Sequence, residues 1–494
     1  MNYVLGIDQS TQGTKALLCD DTGAMLACAA LPHEQLINAE GWVSHRPMDL
    51  YRNTIGAVKA LLQQTVIEPA KIVCVGISNQ RETALLWDRE TGLPLADAVV
   101  WHCARAEAVC RRPEIAGYAD LIRQRTGLPL SAYFTVAKWA WLLENTPGAQ
   151  VAAEAGGACL GTVDSWLLYK LTGRFATDVS NAARTQAFDI HTLTWDAEIC
   201  RRFGVPVRAL AEVMPSDSRF GETDFEGALP KPVPIHAVMG DSNCALFGQG
   251  CHEKGTVKAT YGTGSSIMMN VGHNPLESRH GLATSVAWGM DGHVDYVLEG
   301  NVNHSGSVVT WMKEKAGWIG SPQETSALAE KANLEDETIL VPAFTGLGAP
   351  YWQSDARAII VGLSLSTGRA ELVKAGLESI AYQITDVLAA MREDADLAVR
   401  ELRVDGGATG NEYLMRFQSN LADVPVRAAF AAELSGIGAA YAAGIAVGVW
   451  KRETLFTGRA GREYLPTASK PWRERRLKRW AEAVTLSMCR FPEK

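Results

Sequence analysis

The sequence predicts an α/β protein of two lobes, and three observations carry that prediction. The chain has 494 residues, more than one hydrophobic core usually organises. Apolar runs of strand length alternate with segments of helical period, the pattern of α/β architecture. A β-rich opening at the N-terminus has a counterpart in the second half, which suggests two related halves meeting near residue 250 and domains of 1–250 and 251–494.

The elements follow in order. "YVLGI", "KALLC" and "AMLACAAL" read as three strands joined by the turns "DQSTQGT" and "DDTG". "KIVCVGIS" (71–78) is a further apolar strand running into "NQRET", and "LGTVDSWLLYKLTG" (160–173) reads as a helix. In the second half, "GTVKATYGT" and "GSSIMMNVG" are β-like runs meeting at a Gly/Thr/Ser turn. Val373, Leu377, Ile380, Ile384, Val387 and Met391 recur every three or four residues, so a helix there presents one apolar face to a sheet. "ELRVDGGATGNEYLMRFQSNL" reads as a strand, a glycine pair and a helix with Leu414, Phe417 and Leu421 on one side. "LSGIGAAYAAGIAVGVW" (434–450) is dominated by Gly and Ala and predicts a closely packed internal helix rather than a membrane span.

Composition narrows the function. With 47% hydrophobic and 21% charged residues the chain is an ordinary globular one. A net charge of -8 argues against a nucleic-acid-coating surface, and the basic run "WRERRLKRW" (472–480) reads as a solvated helix face. Ten cysteines lie scattered without a C-x-x-C pair, as reduced core residues would. "MNYVLGIDQS" lacks the basic start of a secretory leader, so a cytoplasmic location is expected.

Three Gly-rich polar turns follow strands, at 8–14, 261–266 and 405–411. Such turns can cradle phosphates through backbone N–H groups and hydroxyls, although each alone is also an ordinary turn. Neither a P-loop nor an intact G-x-G-x-x-G is present. Asp8 ends the first strand, where it could hold a hydrated Mg²⁺ or simply close an Asx-turn. Lys15 could meet phosphate or solvent. Arg81 and Glu82 in "SNQRET" suit a polyhydroxy ligand, one donating and one accepting, or stand as loop charges. Trp101 and Tyr133 offer faces that could cover a carbon chain or pack in a core. In "GDSNCALFGQG" (240–250), Asp241 could start a helix or do chemistry.

The ordered set "GIDQSTQGTKALLCDDTG", "GISNQRETALLWDRETGLPLADAVVWHCARA", "YFTVAKWAWLLEN", "GTVDSWLLYKLTG", "GDSNCALFGQ", "TYGTGSSIMMN" and "VDGGATGNEYLMRFQSNL" resembles the FGGY carbohydrate kinases, the glycerol kinases most of all. That resemblance implies two actin-like, ribonuclease-H-like α/β domains flanking a catalytic cleft, and ATP-dependent phosphorylation of a hydroxyl on a small polyol or sugar. It implies Mg²⁺ near Asp8 and Asp241, and terminal phosphates near Thr11, Gln12, Gly13 and Lys15. Thr263, Gly306, Thr310, Gly407 and Asn411 would contact the nucleotide. Arg81, Glu82, Trp101, Tyr133 and Asp241 would contact the acceptor, with Ser242 and Ser266 at matching positions of its pocket. Asp241 takes the place of the general base, whose task is to orient the hydroxyl and collect its proton late, because a loose transition state depends mainly on alignment and charge neutralisation. Relatives often form dimers or tetramers, which leaves the homo-oligomeric state open.

The departures concern the acceptor. Ser242 stands where glycerol kinases usually carry Gln, and Ser266 where they carry Phe. Both exchanges predict a roomier, more polar pocket suited to a polyol or ketose of four or five carbons. Glycerol kinase proper is the alternative, and a non-catalytic sugar-sensing protein on the same fold is the alternative of another class. Retention of Asp8 and Asp241 speaks against a sensor, and the acceptor set speaks against an actin-fold chaperone or filament. Gln12 and Thr310 also replace a Thr and a Gln, keeping polar chemistry with changed reach. The short "DFEGALPKPVPIH" segment lacks the Gly-Thr-Arg loop tied to sugar-bisphosphate inhibition, so none is expected.

Overall fold

The computed structural model describes residues 2–457 and 461–489. The first sheet grows from β1 (Tyr3–Gln9), β2 (Gly13–Cys19), β3 (Met25–Pro32), β4 (Ile72–Asn79), β5 (Arg219–Thr223) and β6 (Val233–Gly240), in the order β5-β6-β4-β1-β2-β3. β1 is buried along its whole length because it is central and covered on both faces. Tyr3, Leu5 and Ile7 join one core with α1 (Pro47–Gln64) and α2 (Val163–Thr172). Val4 points the other way, into a core shared with α3 (Asp241–Gly248), which follows β6. The helix expected over 160–173 thus begins later than its sequence suggests, since Ala158–Gly161 completes a short strand and Thr162 caps α2.

The second sheet comprises β7 (Val257–Tyr261), β8 (Ser265–Gly272), β9 (Ala283–Met290), β10 (His293–Val302), β11 (Leu402–Asp405), β12 (Val426–Ala428) and β13 (Glu463–Tyr464), ordered β9-β10-β8-β7-β11-β12-β13. Each sheet has the same central ladder. In the first, β3, β2 and β1 pair antiparallel, and β1, β4 and β6 pair parallel. In the second, β10, β8 and β7 pair antiparallel, and β7, β11 and β12 pair parallel. The two halves therefore repeat one architecture. The periodic helix α4 (Arg369–Ala395) packs its apolar stripe on the second sheet, beside α5 (Glu412–Ala422).

The Gly/Ala-rich segment forms α6 (Leu434–Ala446), and it crosses back to the first half. A Cβ on Gly76 of β4 would lie 2.0 Å from the carbonyl oxygen of Ala439, so strand and helix backbones nearly touch. α3 and α6 lie in one core with Val4, Leu17 and Cys74 of the first sheet and Met268, Trp288 and Val297 of the second. Two helices fill the space between the sheets, and the cleft opens at one end of them. Eight of the ten cysteines are buried, whereas Cys28 is half-buried and Cys489 exposed. Among the described residues, no helix is long and apolar enough to cross a membrane.

Candidate active site

β1, β4 and β6 run parallel, so their carboxyl ends share one edge, the usual place for a ligand in such sheets. Asp8 and Met239 both pair with Ser78, and one step further Gln9 and Gly240 both pair with Asn79. Asp8 near the end of β1, Arg81 just past β4 and Asp241 just past β6 thereby lie at one end of the sheet. Asp8 is buried and accepts a 2.8 Å hydrogen bond from Ser78 Oγ. Burial pushes its carboxyl up to about 6; the Ser78 bond opposes that rise and the charge of Asp241 adds to it. Asp241 is the first residue of α3, with Gly240 as the N-cap, which corrects the expectation that its side chain caps the helix. Its Oδ1 accepts from Ser242 N at 2.6 Å and lies 3.6 Å from Arg81 Nε. With its side chain 37% exposed, Asp241 faces the open cleft.

Arg81 and Glu82 are buried, so they are not ordinary loop charges. Arg81 meets both oxygens of Glu299 on β10, at 2.7 and 3.0 Å, and Arg184 Nη1 reaches the same carboxylate at 3.0 Å. Arg184 Nε also binds Glu82 at 2.6 Å. Two acids and two guanidiniums thus neutralise one another where isolated charges would be costly. Burial alone would raise the Glu299 carboxyl, but Arg184 and Arg81 overcome it and hold it down at about 2. Glu82 takes a φ of 59°, a left-handed conformation that this set of contacts sustains. Asn243 adds a neutral link, since its Nδ2 donates to the carbonyls of Val286 and Ala287 at 3.0 and 2.8 Å.

Arg184 and Glu299 escaped sequence reasoning. Their only signals were a single charge inside the otherwise uncharged "NAARTQAF" and another inside "YVLEGNV".

The two aromatic residues Trp101 and Tyr133 come together. Trp101 and Tyr133 meet edge to face with centroids 5.4 Å apart, and Trp101 Nε1 donates to Thr11 Oγ1 at 3.0 Å. This bond ties the expected acceptor wall to the first polar turn. Burial drives the Tyr133 phenol far above its ordinary value. Lys138, fully buried, donates to the carbonyls of Tyr133 and Phe134, fixing the segment that carries the ring.

In the first turn Gln12 is exposed and Gly13 half-buried, and Lys15 Nζ binds Glu433 at 2.5 Å, just before α6. In the second lobe Thr263 is exposed, and its carbonyl accepts from Ser305 N and Ser307 N at 2.9 and 3.0 Å. Those bonds seat the start of the helix Gly306–Glu314 against the turn, with Thr310 exposed one turn later. Gly407 is exposed after Gly406, whose φ of 96° and close approach to Tyr261 O admit no side chain. Asn411 caps α5 through Leu414 N and donates to Thr325 Oγ1 at 2.9 Å, so its side chain is already engaged. Around this turn the hydroxyls of Thr260, Ser265, Ser266 and Ser305 are buried without hydrogen-bond partners. Unsatisfied hydroxyls beside Gly-rich turns fit a ligand rich in acceptors. Ser266 pairs with Thr260 and Asn301, while Ser242 is half-buried beside Asp241.

Two sheets that share one ladder, Gly-rich polar turns at their parallel strand ends and two aspartates at that end of the first sheet are the features expected of a two-domain phosphotransferase. The sequence profile of the FGGY carbohydrate kinases matches residues 3–248 in its N-terminal domain and residues 257–447 in its C-terminal domain. The chain belongs to the FGGY family of carbohydrate kinases, and its fold is the actin-like one of that family. It is 42% identical to "Glycerol kinase 2" of Thermotoga maritima over 494 residues and 40% identical to a glycerol kinase of Geobacillus sp. (strain WCH70) over 491 residues, with 99% of each chain covered in both comparisons. The crystal structure of Plasmodium falciparum glycerol kinase with ADP is similar at a TM-score of 0.93 and 33% identity, covering 99% of both chains.

Proposed function

We propose that this kinase transfers the terminal phosphoryl group of ATP to a hydroxyl of a small polyol, with glycerol the acceptor favoured by its full-length relatives. The observation that carries the reading is Asp241 just past β6, 3.6 Å from the buried Arg81 and at the same end of the sheet as Asp8 of β1, two strands away. Residues 1–250 are read as the acceptor lobe and 251–494 as the nucleotide lobe, joined through α6.

Asp241 orients the attacking hydroxyl and accepts its proton as the bond to phosphorus forms. Arg81 and Glu82 hold the neighbouring hydroxyls, and Trp101 and Tyr133 cover the carbon chain. Thr11, Gln12, Gly13 and Lys15 receive the terminal phosphates, with Thr263, Gly306, Thr310, Gly407 and Asn411 around the rest of the nucleotide. Lys15 is released from Glu433 for that task. Asp8 and Asp241 fit Mg²⁺, since burial and mutual repulsion leave Asp8 in need of a cation. When bound, that ion supplies charge neutralisation at the phosphates. An ATP donor and scattered, mostly buried cysteines with no C-x-x-C pair support the cytoplasm as the compartment.

A second reading keeps the chemistry and lengthens the acceptor to four or five carbons. It is favoured by Ser266, whose buried hydroxyl has no partner and could serve an added hydroxyl. ADP release is measured over glycerol, erythritol, pentitols and ketopentoses. A far higher kcat/KM for glycerol eliminates the longer acceptor, and the reverse order eliminates glycerol. ADP release independent of every polyol would overturn the kinase reading itself.

A further inference from the structure

Strand β10 and the end of β8 bring together three ligand-type side chains that the phosphotransfer site does not use. His293 and Asp295 stand two residues apart on β10, hence on one face, and His273 follows the end of β8 beside them. One ligand atom from each residue lies within 4.8 Å of those of the other two. His273 Nδ1 is 3.1 Å from Asp295 Oδ1, and His293 Nε2 is 4.0 Å from Asp295 Oδ2. The two rings meet nearly perpendicular, with centroids 4.6 Å apart.

We propose that His273, His293 and Asp295 form a binding site for a first-row transition-metal cation of the Zn²⁺ or Co²⁺ type. Two imidazoles and one carboxylate suit such ions better than Mg²⁺ or Ca²⁺, which prefer oxygen. Three protein ligands leave a fourth position for water.

The outer contacts of Asp295 and His293 suit ligands of this kind, whereas His273 Nδ1, which also lies 3.4 Å from the carbonyl of Val294, must give up that contact to bind an ion. Asp295 is buried, and its Oδ2 accepts from Trp288 Nε1 at 2.8 Å, which fixes the carboxylate. His293 Nδ1 lies 3.3 Å from the carbonyl of Asp291, a partner for its proton that leaves Nε2 to serve as the ligand atom when an ion binds. The Asp291-Gly292 turn, with φ of 55° and 79°, holds the hairpin register. Tetrahedral bonds of about 2.0–2.1 Å separate ligand atoms by about 3.3 Å. The imidazoles are exposed, with side-chain accessibilities of 63% and 44%, and rotate to close the remaining gap while the carboxylate stays in place.

The test is a Co²⁺ titration of chelator-treated, tag-free, full-length protein without nucleotide, followed by visible absorption and by Zn²⁺ competition. One saturable equivalent, displaced by Zn²⁺, is expected. His273→Ala and His293→Ala should each weaken it at least about tenfold, with unchanged thermal midpoints in the absence of metal. Absence of a saturable signal overturns the proposal. So does a signal that survives both substitutions and disappears in Asp8→Asn, because it then belongs to the cleft.

Discussion

Glu299 of the second sheet grips Arg81 of the first through both carboxylate oxygens, at 2.7 and 3.0 Å. The residue that orients the proposed base is thus itself oriented from the opposite lobe. Glu299→Gln leaves Arg81 and Arg184 with uncompensated buried charge. We expect a loss of about 3–5 kcal/mol in unfolding free energy, read by urea denaturation, and a raised KM for the acceptor. A stability unchanged within error would show that the network carries no structural weight.

The same carboxylate gives a pH signature. Glu299 is held at about 2 in the folded chain, against about 4.3 for an unfolded glutamate. Its contribution is complete above the unfolded value and is lost as pH falls from there towards 2. Denaturation midpoints of the wild type should fall across that window more steeply than those of Glu299→Gln.

Asp241→Asn removes the proton acceptor while keeping size and helix position. The kcat for acceptor-dependent ADP release should fall by about 10²–10⁴-fold, with a smaller change in acceptor KM. Equal activity in the variant would remove Asp241 from its role.

Asp8→Asn should separate stability from activity. Burial raises the Asp8 carboxyl to about 6, above the unfolded value near 3.9, so the folded state bears a penalty that develops as pH rises through that interval and is full above it. In chelator-treated protein at pH 8 the variant should be the more stable by on the order of 1–2 kcal/mol, yet the less active with Mg²⁺ and ATP. The stability gain is read by thermal and urea unfolding, and a variant less stable than wild type contradicts it.

Ser266→Phe fills the space beside β7 with an apolar wall. The ratio of kcat/KM for glycerol over pentitols should rise by about tenfold or more. No change in the ratio would place position 266 outside the acceptor pocket.

The strands, the periodic helix α4 and the three polar turns were legible because each is a local pattern: apolar runs, a 3.6-residue period and glycine at a strand end. Asp8, Arg81 and Asp241 were legible for the same reason, as polar residues directly following apolar strands. Asp241 as a helix cap was misread, because Asp and Ser after glycine look alike whether they precede the first turn or open it, and only backbone geometry separates Gly240 as cap from Asp241 as first helical residue.

The sequence by itself determined the α/β plan and the family and singled out the polar residues at the strand ends as candidates, since these rest on short-range pattern and residue type. Only the tertiary structure decided that Glu299 and Arg184 complete the buried ion network, that Glu433 occupies Lys15, and that α6 returns to pack on the first sheet. Those contacts join residues more than a hundred positions apart. Burial and pairing at such separations follow from how two sheets close around α3 and α6, and no local periodicity records them.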